Sequence, residues 1–258
     1  SKFYNNLARR NGGAINFDVG STNNNITHCE FINNTVYDDG GAINLDHGAD
    51  FCGIYNSTFY NNTALGRFGS TSKGGTICLV GNNVTVENST FTLGAVYANV
   101  TEKAKENETW GGAMFVTGNS TLIKNCTFTN CYAQEDGGAL YVIGDDCKLY
   151  NSTFTLNKVG DDGGAIYWKG ETGYIYNITC KLNNAVGSGD STSKGGAVAL
   201  IGNSTVLTKS KFEMNSAIVD GGAIYATGNF VNITESTFIR NNVSFGDDGK
   251  NKFGGGNR

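Results

Sequence analysis

The chain has 258 residues, of which 39% are hydrophobic and 16% charged, with 37 Gly and no Pro. So little apolar material offsets backbone ordering entropy only if a regular device buries it efficiently, and a repeat is that device. The net charge of −4 comes without a Lys/Arg cluster, and no run nears the roughly 20 apolar residues of a membrane span, which argues against a nucleic-acid partner and against membrane insertion by this segment.

Self-similarity is plain. Gly-Gly begins at 12, 40, 74, 111, 137, 163, 195, 221 and 254, and three of the eight spacings equal 26. Each unit reads as three short strands, met in chain order as an aromatic strand at Phe3, a strand opened by Gly-Gly at Ile15, and a third strand at Ile26. The aromatic strand returns at Phe31, Phe59, Phe91, Phe128, Phe154, Cys180, Phe212 and Phe238. The Gly-Gly strand returns at Ile43, Ile77, Met114, Leu140, Ile166, Val198 and Ile224, and the third at Ile54, Val86, Ile123, Leu149, Ile175, Leu207 and Ile233. Period-two alternation, as in GGALYVIG at 137–144, places these residues inward, and helical spacing is nowhere sustained.

These observations predict an all-β fold, a single-stranded parallel β-helix or solenoid of about nine coils of a 26-residue repeat over 1–258, with a right-handed coil preferred. At about 4.8 Å per coil the rod is on the order of 40 Å long. Gly20, Gly48, Gly81, Gly118, Gly144, Gly170, Gly202 and Gly228 suit corners of positive φ. Asn three residues after the aromatic, as at Asn6, Asn34, Asn62, Asn157, Asn183, Asn215 and Asn241, suits an amide ladder running from coil to coil. From Gly-Gly to the next aromatic landmark is 17 or 19 residues throughout, so larger insertions fall after Phe59, Phe91, Cys180 and Phe238 on one edge. The insertions at 65–73, 94–110 and 186–194 are where specificity is expected.

The GGA(I/L/V) and FxxN pattern, with NSTF at 56, 88 and 151, resembles two repeat sets. One belongs to the chlamydial polymorphic outer-membrane proteins, the other to the adhesin-like surface proteins of methanogenic archaea. The stretches NSTFTLN and FINNTVYDDGGAI make the methanogen likeness the closer. The resemblance implies a parallel β-helix, export to the extracellular cell surface and attachment to glycans or proteins of another cell. Neither family brings catalytic residues to carry over. Ser1 starts in mid-repeat, so further coils, caps, a leader or an anchor are expected elsewhere in a longer protein, or subunits that stack end to end.

Fifteen N-x-S/T sequons occur, and Asn99 and Asn107, within the longest insertion, are the expected accessible acceptors. A repeat with Asn corners and outward Thr generates sequons automatically, so the motif alone does not establish glycosylation. The seven cysteines fall in different columns or in distant coils, with only Cys126 and Cys131 close along the chain. Buried free thiols are expected rather than a disulfide framework, and no spacing suggests zinc.

Asp38-Asp39, Glu135-Asp136, Asp161-Asp162 and Asp220 precede Gly-Gly. Stacking sets Asp136 and Asp162 about 5 Å apart, where they repel unless one is protonated or a cation such as Ca²⁺ lies between them; the plainer alternative is a cap accepting backbone N–H groups. No other cofactor is expected. Outward on the Gly-Gly strand, Phe115, Tyr141, Tyr167 and Tyr225 form a candidate sugar-stacking strip. A polysaccharide lyase or glycoside hydrolase would use Asp136, Asp161 and Asp162, yet these acids recur with the repeat, and His28 and His47 have no obvious partner. The expectation is a non-enzymatic adhesin or surface stalk, with an inert spacer as the third reading.

Overall fold

A computed structural model describes residues 1–66, 71–98, 109–187 and 193–244. Among them every named strand pairs parallel to its neighbours and no helix occurs. The coils stack into four long sheets: a phenylalanine sheet and a narrow sheet of nine strands each, an isoleucine sheet and a tyrosine sheet of eight each. The first coil shows the order, with strands at Lys2–Tyr4, Leu7–Ala8, Ile15–Phe17 and Asn25–Thr27. Described residues therefore form eight complete coils and two strands of a ninth, where the repeat count suggested about nine.

The columns keep the expected register. Ile43 pairs with Ile15 and Ile77, Ile54 with Ile26 and Val86, and Phe59 with Phe31 and Phe91. Rings of the phenylalanine column stack nearly parallel, with centroids 4.6 Å apart at Phe3 and Phe31 and 4.9 Å at Phe91 and Phe128, the spacing of adjacent strands. Cys180 breaks this stack between Phe154 and Phe212 and is itself fully buried. These columns line one continuous apolar core.

A fourth strand per coil departs from the expected three. Its strands are mostly two residues long and bury one small side chain each, namely Val36, Ala64, Val96, Ala133, Val159, Ala185 and Ala217, in a thin compartment of their own. The second glycine of each pair lies against this strand. A Cβ on Gly75 would stand 2.4 Å from the Ala95 carbonyl, so Gly-Gly is the clearance the narrow sheet requires.

The corner glycines also need a different explanation. Only Gly20 and Gly48 among them have positive φ, at 76° and 73°. The others are excluded from carrying a side chain by stacking: a Cβ on Gly118 would stand 1.8 Å from the Gly81 carbonyl oxygen. Positive φ belongs instead to the first glycine of each pair, as at Gly137 (66°).

The amide ladder is present and buried. Asn183 Nδ2 donates to Asn215 Oδ1 at 2.9 Å and to the Phe154 carbonyl at 3.0 Å, while its Oδ1 accepts both N–H and Nδ2 of Asn157. Cys131 occupies the ladder position between Gly94 and Asn157, and its N–H donates to Asn157 Oδ1 at 2.9 Å.

Candidate functional site

The residues singled out in the sequence meet along the outer face of the isoleucine sheet, where the residue preceding each Gly-Gly overhangs the outward rings. Phe115, Tyr141 and Tyr167 are paired in register. Their centroids are 5.6 Å and 4.7 Å apart. The column is interrupted by Ala199 before Tyr225.

This strip is not the open platform expected. Phe115 and Tyr141 are only 2% and 4% exposed. Trp110 covers them, its ring 5.9 Å from Phe115 and 5.1 Å from Tyr141, and Lys73 Nζ lies 5.5 Å from the Trp110 ring. Two insertions do this together, because Ser72–Lys73 and Thr109–Trp110 pair as a two-stranded sheet where adjacent insertions re-enter the coil. Tyr167 and Tyr225 remain half-buried, and Lys194 Nζ lies 4.8 Å from the Tyr225 ring. A sugar therefore has no free ring face at Phe115 or Tyr141.

The acids of the same ledge cap neighbouring coils. Asp136 Oδ1 accepts the Asp162 N–H at 3.1 Å, Asp162 Oδ1 accepts the Lys194 N–H at 2.7 Å, and Asp39 Oδ1 accepts the Lys73 N–H at 2.8 Å. Burial, reinforced by Asp161 and Asp162, pushes Asp136 up to about 7. Burial and Asp161 raise Asp162 to about 6, and burial with Asp38 raises Asp39 to about 6. Their environment thus holds a proton more readily than water does. Among the described residues no group of three or more His, Cys, Asp or Glu side chains is arranged to hold a metal ion, so Asp136 and Asp162 would have to supply a Ca²⁺ site with backbone and water ligands.

All seven cysteines are free, and six are buried. Burial pushes the thiols of Cys126 and Cys147 to about 11 and that of Cys131 to about 12, leaving them inert small hydrophobes. The sequon positions Asn99 and Asn107 lie outside the described residues. Other sequon asparagines shape the coil itself, for Asn88, Asn125, Asn151 and Asn177 take positive φ at one corner. There Asn125 Nδ2 donates to Asn88 Oδ1 at 3.0 Å and Asn177 Nδ2 to Asn151 Oδ1 at 2.9 Å.

A second site was missed in the sequence. On the outer face of the tyrosine sheet, Leu122, Lys124, Tyr150, Asn151, Tyr174 and Tyr176 line a notch of about 530 Å³. Tyr174 and Tyr176 are near-parallel at 11°, whereas Tyr150 is inclined to them by 46° and 57°, so the rings form walls rather than a flat stack. The signal was the alternation KLY at 148–150 and YIY at 174–176, which turns the tyrosines outward around the core residues Leu149 and Ile175.

The fold is thus a parallel β-solenoid whose coils differ mainly in what they hang outside. Two stretches, residues 28–46 and 151–167, match the Chlamydia polymorphic membrane protein repeat. Each contains an aromatic strand, a narrow strand, a Gly-Gly pair and the start of the next strand, so the match is to the unit that builds the rod. That family is surface-associated, which supports a cell-surface location at that coarse level. No curated protein and no solved structure matches the chain.

Proposed function

We propose that this segment is a non-enzymatic extracellular attachment rod, part adhesin and part stalk, that presents its outer faces to glycans or proteins of another cell. The observation that carries this reading is the unbroken coil-to-coil register of four parallel sheets, which fixes outward side chains in long columns on a stiff support. The similarity of its repeat to that of surface-associated membrane proteins supports the same reading. The closer likeness of NSTFTLN and FINNTVYDDGGAI to methanogen adhesin-like proteins belongs to this proposal too. The ledge acids Asp136 and Asp162 spend a carboxylate oxygen on the next coil's backbone, which suits a structural cap better than a proton-transfer pair.

Attachment is tested by coating beads with residues 1–258 and counting their retention on monolayers of candidate partner cells. Retention that free segment competes away is the expected result. Retention no greater than that of beads coated with an unrelated protein of similar charge would refute the reading.

A further inference from the structure

We propose that the tyrosine notch is a binding site for an acidic saccharide, a chain containing uronic-acid units. The notch, about 530 Å³, is shallow and largely open to water, which suits one unit of a longer chain better than a small enclosed ligand. Its walls are flat rings, which stack on the C–H faces of a pyranose, and their phenol hydroxyls can meet the sugar's hydroxyls.

Charge selects among sugars. Lys124, in the lining, is paired with Glu87 at 3.1 Å, and Lys209, 5.5 Å from the Tyr176 ring, is paired with Glu235 at 3.9 Å. Lys148 differs from both. It is exposed, sits in register between Leu122 and Tyr174, and has no ion-pair partner among the described residues. An unpaired cation on the same strand as Tyr150 and in register with the lining residues Leu122 and Tyr174, in a chain of net charge −4, fits one carboxylate on the ligand. A nucleic acid would want a track of unpaired cations for successive phosphates, and two of the three lysines are already paired.

The proposal deepens the attachment reading and rests on it, but its test is separate. Residues 1–258 are titrated calorimetrically with tetragalacturonate, with its methyl ester, and with an oligothymidylate of similar length. Saturable binding of the acid is expected, weakened about tenfold or more in Tyr174→Ala, Tyr176→Ala and Lys148→Gln, and weaker by a similar factor for the ester. Tyr60→Ala, which removes an exposed ring from the phenylalanine sheet, leaves binding unchanged. Should Tyr174→Ala lower the melting temperature, Tyr174→Phe keeps the ring wall and retains binding. No saturable binding of the acid, equal binding of acid and ester, equal binding by the ring and control variants, or tighter binding of the oligothymidylate would each overturn the proposal. Bead attachment that survives Tyr174→Ala would sink the notch as its cause while leaving the attachment reading intact.

Discussion

Asp136 shows how a single cap couples this rod to pH. Its folded pKa of about 7 lies well above the ordinary carboxylate value, as do those of Asp162 and Asp39 at about 6. Between about pH 4 and 7 the folded state therefore binds more protons than the unfolded chain, so stability falls as pH rises through that window and levels off above it. Asp136→Asn keeps an oxygen to accept the Asp162 N–H and removes the buried charge. Melting temperatures at pH 8 should rise by the equivalent of about 1–2 kcal/mol, after allowance for solvent screening, with little change at pH 4. An unaltered pH profile would contradict the cap's role. Asn183→Ala acts in the other direction, leaving the Asn157 N–H without its acceptor and taking one of two acceptors from Asn157 Nδ2 and one donor from the Phe154 carbonyl, and should cost about 1–3 kcal/mol in urea denaturation.

Glycines at equivalent corners should respond differently although the sequence makes them look alike. Gly20 has positive φ and nothing within 4 Å of a built Cβ, so Gly20→Ala should cost about 1 kcal/mol of backbone strain. Gly118 has no such φ but faces the Gly81 carbonyl at 1.8 Å, so Gly118→Ala must push two coils apart and should cost more. Equal losses in thermal melts would show that clearance between coils is not what selects glycine there. Sequence carried the recurrence of these glycines but not their two causes, because φ and neighbour clearance leave the same letter.

At the scale of elements, the three large columns were legible because their inward residues are bulky and recur at fixed offsets from Gly-Gly. The narrow sheet was not, since a lone Ala or Val per coil carries too little hydrophobic contrast to mark a strand. The covered rings were misread for a related reason: period two tells which face Phe115 and Tyr141 occupy, not that Trp110 from an insertion lies over them. Conversely, YIY at 174–176 was plain alternation, and its meaning emerged only when Tyr150 from the preceding coil stood beside it. One pairing between elements invites a direct test. Trp168 fills a core column held by Val142 and Leu200 in adjacent coils, and Gly173 yields it room, with a built Cβ 2.3 Å from Nε1. Gly173→Ala should destabilise by about 1–3 kcal/mol, and Trp168→Leu should recover part of that loss in a double-mutant cycle. Strict additivity would mean the two positions are not coupled.

Among the described residues each coil bonds to the next through its strands, and amide ladders reinforce some of these steps. Such a rod conveys stiffness along its axis, while outward side chains can vary because core columns, glycine clearances and buried amides specify the coil. The two faces with distinctive chemistry divide accordingly: the acids of the ledge cap neighbouring coils, and the tyrosine notch stays open to water. No helix among the described residues is long and apolar enough to cross a membrane.

Attachment without catalysis is tested most directly by incubating residues 1–258 with a panel of host and microbial polysaccharides, calcium included. Retention of at least one polysaccharide with no new reducing or unsaturated chain ends is the predicted result. New ends that vanish in Asp136→Asn or Asp162→Asn would contradict it and make the ledge an active site.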